Sequence, residues 1–176
     1  MDQHDQTLLS PTTSLVLASG VEACRTALRA HYRRLGPRAR RLRFMGAASI
    51  HATDQIAARA RPDLLLEFVD GGVVRGVLEA YCTARNHAEI AISIEDAFQG
   101  QGHGRALFEA GLAELSRMGV KTAELYCMAE NTAVLHLVRA AGGRMSSQDG
   151  EVVAHLHLPR IAPAQNASSV SEVLEA

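Results

Sequence analysis

Three glycines that could bind a phosphate lie in residues 99–105, whose sequence is Gln99-Gly100-Gln101-Gly102-His103-Gly104-Arg105. The segment follows an alternating, strand-like pattern, begins a helical pattern and has no acidic side chain. Glycine lets the backbone adopt positive φ, so successive N–H groups can point at one anion. A helix N-terminus directly afterwards adds free amide donors and the positive end of the helix dipole. The segment therefore predicts a cradle for a pyrophosphate.

Two other phosphate motifs do not fit this spacing. A dinucleotide-binding loop has its third glycine three positions after the second, where this sequence has Arg105, and no acidic ribose partner is evident on a following strand. A nucleoside-triphosphate loop ends in Gly-Lys-Ser or Gly-Lys-Thr, whereas this segment ends in Gly104-Arg105-Ala106. The remaining alternative is a glycine-rich turn that binds nothing, which the agreement of strand, loop and helix disfavours.

Composition indicates a globular protein of one domain, with 176 residues, 47% hydrophobic residues and 21% charged residues. The polar N-terminus predicts neither a signal peptide nor a membrane-spanning helix, so no membrane partner is expected. Cys24, Cys82 and Cys127 lack metal or redox spacing, which predicts reduced thiols and a cytoplasmic location. His155 and His157 share a strand face without a third ligand nearby, so no metal cofactor is expected.

The arginines concentrate in a short segment around Gly36-Pro37, although the net charge is −1; they are Arg33, Arg34, Arg38, Arg40, Arg41 and Arg43. A nucleic-acid-binding domain would be basic overall and richer in aromatic residues than the 4% found, so no nucleic-acid partner is expected. Most of these arginines are predicted to be solvated at a helix end and loop. Recognition of an acidic partner or of ligand phosphates is the alternative.

Apolar periodicity predicts alternating strands and helices along the chain. Helices are expected after Gly20, over about 50–60, from near Gly104 to Met118-Gly119, and over 132–141 with Asn131 as N-cap. Strands are expected at 13–18, 64–69, 73–82, 88–94 and 122–127, and a final hairpin at 145–158. In the strand 88–94 the isoleucines face one side, and Glu89, Ala91 and Ser93 face the other.

Gln99, Gly102 and Gly104 match the signature of the GNAT superfamily of acetyl-CoA-dependent N-acetyltransferases: Gln or Arg, two residues, Gly, one residue, Gly or Ala. The chain resembles that superfamily from about residue 64 to residue 158, including Asn131 after the fifth strand. The resemblance implies an α+β fold layered α/β/α, with a mixed, mostly antiparallel sheet of about six or seven strands, about four helices, and splayed fourth and fifth strands.

The resemblance also implies the cofactor-binding residues. Acetyl-CoA as co-substrate would bind to the free backbone groups of Ile92, Ser93 and Ile94, and to Asn131. Its pyrophosphate would lie in the cradle formed by the signature residues, which are Gln99, Gly100, Gln101, Gly102, His103, Gly104 and Arg105.

An amine acceptor must lose a proton before it attacks a thioester, so a base is required. Glu89 is the predicted catalytic base, because Ala88–Ile92 resembles the fourth strand of bacterial protein lysine acetyltransferases, whose matching Glu acts as base through water. An exposed carboxylate or surface ion pair is the alternative for Glu89.

Glu95 is expected to be a solvated turn residue. Many relatives have a Tyr general acid where this chain has Val138, so solvent or another donor must replace it. Ribosomal N-terminal acetyltransferases have their Glu where this chain has Tyr126, which argues against that subtype.

The segment 35–44 resembles one in the protein lysine acetyltransferases, with matches at Leu35, Pro37, Arg40, Arg43 and Phe44. The expected function is therefore transfer of an acetyl group to a primary amine, either a protein lysine or a small molecule. A non-catalytic acyl-CoA sensor is the alternative from another class. Residues 1–160 are expected to form the catalytic domain and 161–176 a flexible tail, and a homodimer is expected by analogy with the family.

Overall fold

The computed structural model describes residues 13–84 and 86–159, which form one seven-stranded sheet and five α-helices. The strands are β1 (Thr13–Leu17), β2 (Leu64–Asp70), β3 (Val73–Ala84), β4 (His87–Ile94), β5 (Thr122–Met128), β6 (Arg144–Gln148) and β7 (Glu151–His157). The helices are α1 (Val21–Arg34), α2 (Pro37–Arg43), α3 (Ile50–Arg59), α4 (His103–Arg117) and α5 (Thr132–Ala140), and a short 3-10 helix lies at Asp96–Phe98.

The sheet has the order β1-β2-β3-β4-β5-β7-β6 and is antiparallel except between β4 and β5. Its first face packs against α4 and α5 through the main core, which includes Ile90 of β4 and helix residues such as Phe108 and Val138. Its second face is covered over β2 and β3 by the N-terminal helices, through a smaller core around Leu28, Tyr32 and Val77. The predicted layered α+β fold is confirmed.

The strands β4 and β5 pair in register only from His87 opposite Thr122 to Ile90 opposite Leu125. Beyond Ile90, β4 continues to Ile94 while paired with β3 on its other edge alone. The backbone edge of Ile92, Ser93 and Ile94 that faces β5 is therefore free of sheet hydrogen bonds. The predicted splay of these two strands is thus present, and it opens a gap in the middle of the sheet.

The most informative differences from the expected elements lie in the arginine-rich segment. Residues 37–43 form the helix α2, with Pro37 in its first turn, where the missing proline N–H is harmless. The sequence predicts a helix end and loop here, because seven residues are too few to show helical periodicity. The expected tail at 161–176 lies outside the described residues, and the one-domain division stays a prediction.

Candidate active site

The glycine segment forms an open turn at the N-terminus of α4. Gly100 has φ +73, and a Cβ there would meet no atom within 4 Å. Gly102 has φ +86. Gly102 is the N-cap of α4 and no side chain caps that end, so the first amides of the helix are available to a ligand. Gly104 lies inside the helix, where its Cβ would be 3.7 Å from Ile94 Cγ1. The local geometry thus has the conformation that a phosphate cradle requires.

Three polar side chains of this segment hold the turn in place. Gln99 Nε2 donates to the Ile94 carbonyl oxygen at 2.9 Å, and Gln101 Nε2 donates to the Ala97 carbonyl oxygen at 2.8 Å. The His103 ring stacks on Phe68, with 4.3 Å between ring centroids and an interplanar angle of 20°. These contacts tie the turn to the end of β4 and to the core.

A cavity of about 780 Å³ extends from this turn along the free edge of β4. Helix α2 forms one wall of the cavity, with Ala39, Leu42 and Arg43, and α5 forms another. Of the predicted cofactor-binding residues, those that line it are Ile92, Ser93, Ile94, Gln99, Gly100, Gly102, Gly104, Arg105 and Asn131. Gln101 and His103 are not among the lining residues. Asn131 also caps α5 as predicted, since its Oδ1 accepts from the Val134 N–H at 3.3 Å.

Glu89 lies outside this cavity, on the second face of the sheet. It is exposed, opposite Tyr81 of β3 and in register with Glu124 of β5. Ile92, at the cavity wall, is three residues further along β4, about 10 Å at the rise of a strand. The predicted base is therefore exposed on the strand that also lines the cavity.

A small polar network surrounds Glu124 on that face. Glu124 accepts from the Tyr126 hydroxyl at 3.1 Å and is 3.1 Å from His155 Nδ1. The hydrogen bond to Glu124 and the charge of that carboxylate raise the pKa of Tyr126, and the charge of Glu89 acts in the same direction. Tyr126 is 45% exposed and holds its proton, so it can donate a hydrogen bond but cannot act as a base.

Four side chains form a largely buried cluster next to the cavity, and no spacing in the sequence indicated that they would meet. This group, here called the Glu79 cluster, consists of Glu79, Tyr32, Arg43 and Tyr81. Glu79 Oε1 accepts from the Tyr32 hydroxyl at 2.5 Å and from Arg43 Nη2 at 2.6 Å, and its Oε2 accepts from the Tyr81 hydroxyl at 2.9 Å. Burial and the Glu79 carboxylate raise the pKa of Tyr81. Arg43 is the cluster member that lines the cavity, so the cluster fixes α2 against β3.

The expectation that Glu95 is a solvated turn residue is wrong. Glu95 is 7% exposed, and it binds Arg34 Nε at 2.6 Å and Arg75 Nη1 at 3.1 Å. Two arginines of the arginine-rich segment, Arg34 and Arg43, form ion pairs with buried carboxylates, while most of the segment's arginines are exposed as expected. Helix α1 brings Arg34 next to the end of β4, a contact across 61 positions that no local pattern signals.

A buried histidine lies beside Ser93. His31 is 0% exposed and its Nε2 is 2.9 Å from Ser93 Oγ. Burial lowers the pKa of His31 to about 3, and the charges of Arg34 and Arg43 act in the same direction. The ring is therefore neutral throughout the ordinary pH range.

This histidine should make stability depend on pH. Between pH 3 and 6.5 the unfolded chain binds the proton and the folded chain does not, so stability rises with pH across that window. From pH 7 to pH 5 we expect the free energy of unfolding to fall by about 2 kcal/mol through this residue, as measured by urea unfolding. His31→Gln should flatten the dependence, whereas His136→Gln, at an exposed position, should leave it intact. An unchanged slope in His31→Gln would contradict the assignment.

No group of three or more potential metal ligands occurs among residues 13–84 and 86–159. Within the same ranges, no helix has the length and apolar character needed to cross a bilayer.

Comparison with known proteins identifies related sequences and folds. Two mycothiol acetyltransferases match over 58 residues, 33% of this chain: that of Propionibacterium freudenreichii subsp. shermanii at 34% identity and that of Cellulomonas flavigena at 41% identity. The matched part is 19% and 17% of those proteins, so the chain corresponds to a small portion of their length.

Solved structures with the same fold include the GNAT domain of the S. lividans protein PAT, with a TM-score of 0.66 and 18% identity over 82% of this chain and 89% of that one. They also include yncA of Salmonella typhimurium with its cofactor acetyl-CoA, with a TM-score of 0.64 and 20% identity over 86% and 97%. The sequence matches the Acetyltransferase (GNAT) family over residues 39–142, a range that contains most of α2, the free edge of β4, the glycine turn and Asn131. The chain therefore belongs to the GNAT family of acetyltransferases.

Proposed function

We propose that this acetyltransferase moves the acetyl group of acetyl-CoA to a primary amine by direct attack within a ternary complex. The observation that carries the proposal is the continuous cavity that joins the glycine turn to the free edge of β4. One end of that cavity offers amide donors to an anion, and the other end reaches a strand that carries a carboxylate. The two substrates of an acyl transfer could thus meet at β4.

The cavity fits coenzyme A in three respects. The turn has positive φ at Gly100 and Gly102, and at Gly100 it has space for phosphate oxygens where a Cβ would otherwise project. Arg38 and Arg105 line the cavity beside it and supply positive charge. The unpaired edge of Ile92–Ile94 offers backbone donors and acceptors to the amides of a pantetheine arm. These features support the cofactor-binding role of the residues that the resemblance assigned.

Acetyl-CoA supplies an activated thioester, so the protein has to align the amine, accept its proton and stabilise the developing charge. Glu89 accepts the proton of the amine, directly or through one water molecule. We choose Glu89 because it is exposed on the strand that also lines the cavity. An amine with an unperturbed pKa near 10.4 is protonated at neutral pH, so removal of that proton limits attack. The neighbouring carboxylate of Glu124 adds negative charge that would attract an ammonium group.

Glu89→Gln tests this role. The change removes the base but keeps the shape of the side chain, so we expect turnover to fall at least about tenfold while the affinity for acetyl-CoA is unchanged. Thiol release during turnover and calorimetry with acetyl-CoA measure the two quantities. Glu22→Gln, at a position 84% exposed on α1, is the matched control. Unchanged turnover in Glu89→Gln would remove Glu89 from the mechanism.

The acceptor can be a protein lysine or a small-molecule amine. The likeness of segment 35–44 to protein lysine acetyltransferases favours the first, and the name of the two mycothiol acetyltransferases favours a small molecule. Incubating a cell extract with isotopically labelled acetyl-CoA and the protein, followed by mass spectrometry of peptides and metabolites, separates these classes. Acetyl-CoA binding without turnover on any acceptor would instead indicate a sensor.

We also propose a cytoplasmic enzyme whose catalytic domain spans residues 1–160. Cys24, Cys82 and Cys127 are free thiols, which supports a reducing compartment. A homodimer is proposed from the family analogy, and light scattering of the purified chain tests it.

A further inference from the structure

Ser93 differs from its neighbours at the free edge of β4, because its side chain is polar and has a buried partner. It lies on the second face of the sheet, where α2 forms the cavity wall with Ala39 and Arg43. Ser93 is 8% exposed and lines the same cavity. Its hydroxyl therefore lies between the interior of the protein and the proposed substrate site.

The surroundings of His31 determine which atom donates in the pair. His31 Nδ1 is 4.0 Å from Glu95 Oε1 and has no hydrogen-bond partner in the described part of the chain. A carboxylate at that distance favours the tautomer with the proton on Nδ1, which leaves a lone pair on Nε2. The charged groups around the ring, Arg34, Arg43 and Glu95, come from α1, α2 and the end of β4.

It follows that the Ser93 hydroxyl donates its hydrogen to His31 Nε2. The oxygen then keeps its lone pairs and has no hydrogen left to give to a ligand. Among residues 13–84 and 86–159, His31 is the hydrogen-bond partner of Ser93 Oγ, and no other side chain donates to that oxygen. The pair thus gives a rotatable hydroxyl a fixed polarity.

We propose that Ser93 Oγ is a hydrogen-bond acceptor for an N–H group of a bound substrate, with His31 as the positioning residue that fixes its polarity. The proposal rests on the proposed function. Each of the two substrates carries an N–H group near the thioester: acetyl-CoA carries the amide of its cysteamine part, and the acceptor carries the attacking amine. The shared chemistry is an N–H donor, and the two sources predict different measurements.

The variants Ser93→Ala and Ser93→Cys test the proposal. The loss of one neutral hydrogen bond should weaken the binding of a substrate about three- to tenfold. If the cysteamine amide is the partner of Ser93, the dissociation constant of acetyl-CoA should rise, and calorimetry measures that rise. If the amine is the partner, that constant is unchanged and the KM rises for the best amine acceptor of the wild-type protein. Ser93→Cys keeps the size of the side chain with a weaker acceptor, so it should show the loss even if Ser93→Ala folds poorly.

His31→Phe removes the acceptor and frees the hydroxyl to rotate, so a smaller loss in the same constant is expected. Thr53→Val is the matched control, because it deletes another buried hydroxyl, in α3, away from the cavity. Unchanged constants in both Ser93 variants, with only a loss of thermal stability like that of Thr53→Val, would overturn the proposal. An acetyl group on Ser93 during turnover would also overturn it, since the oxygen would then be a nucleophile.

Failure of the proposed function gives a different result. If the wild-type protein does not bind acetyl-CoA, both the proposed function and this inference are contradicted. If the wild-type protein turns over and the Ser93 variants match it in both constants, only the inference falls.

Discussion

Glu79→Ala is expected to lower the free energy of unfolding by about 3–5 kcal/mol, because it leaves a buried charge without its partner. Arg43 is only 15% exposed and its guanidinium is 2.6 Å from Glu79 Oε1. The hydroxyls of Tyr32 and Tyr81 lose the same acceptor. Urea unfolding measures the effect as a lower midpoint with an unchanged slope, and the melting temperature should fall by about 6–20 °C.

Two further variants separate the buried charge from lost packing. Glu22→Ala breaks an exposed ion pair with Arg25 and should change stability by no more than about 1 kcal/mol. The double variant Arg43→Met with Glu79→Leu replaces the pair by apolar side chains and should recover the part of the loss that comes from the unpaired charge, but not the part from the two tyrosine hydroxyls. A loss below about 1 kcal/mol in Glu79→Ala would show that Arg43 reaches water when the carboxylate is removed.

The Glu79 cluster also matters for the cavity. Arg43 and Leu42 of α2 line the wall opposite α5, and α2 is held from its other side by an ion pair between Arg41 and Glu130. Glu79→Ala should therefore weaken acetyl-CoA binding as well as stability, whereas an equally destabilising change elsewhere in the fold should affect stability alone.

Gly102→Val is expected to weaken acetyl-CoA binding by about 100-fold, while the same turn tolerates Gly104→Ala. Gly102 has φ +86, a conformation that strains a non-glycine residue by about 1–2 kcal/mol and a β-branched residue most. A relaxed backbone would turn amides away from the ligand, and hydrogen bonds to a charged group contribute about 1.5–3 kcal/mol each. Calorimetry with CoA and with acetyl-CoA measures the loss.

Gly104→Ala is the matched control for the same turn. Gly104 is helical, and an added Cβ would lie 3.7 Å from Ile94 Cγ1, which is an ordinary van der Waals distance. Alanine also favours a helix over glycine by about 1 kcal/mol. Binding in Gly104→Ala should therefore stay within about threefold of the wild-type value. Equal losses in the two variants would indicate that the turn responds to any added side chain and that the conformation of Gly102 is not the cause.

Much of the site could be predicted from the sequence because it depends on local structure. Gly102 at positive φ, the Asn131 cap and the alternation of β4 each follow from residues within a few positions of one another. The position of Glu89 on the face opposite the isoleucines follows from the two-residue period of a strand. The catalytic role of Glu89 remains a prediction that Glu89→Gln will decide.

Other features could not be predicted because they depend on contacts between distant parts of the chain. Arg43 and Tyr32 contact Glu79 across 36 and 47 positions, and neither spacing distinguishes a buried ion pair from a solvated charge. Helix α2 is short and carries four arginines, so its own sequence resembles an exposed loop. The burial of Glu95 could not be predicted, because its partners, Arg34 and Arg75, reach it only after α1 and β3 have packed beside β4.

By itself the sequence determined the order of the elements apart from α2, the glycine turn before α4 and the faces of the strands, since hydrogen bonding and side-chain alternation act over a few residues. Only the tertiary structure decided which charges are buried, at which residue β4 and β5 stop pairing and which hydroxyl faces the cavity. Burial and charge pairing depend on which surfaces the packed chain removes from water, and that is a property of the whole fold.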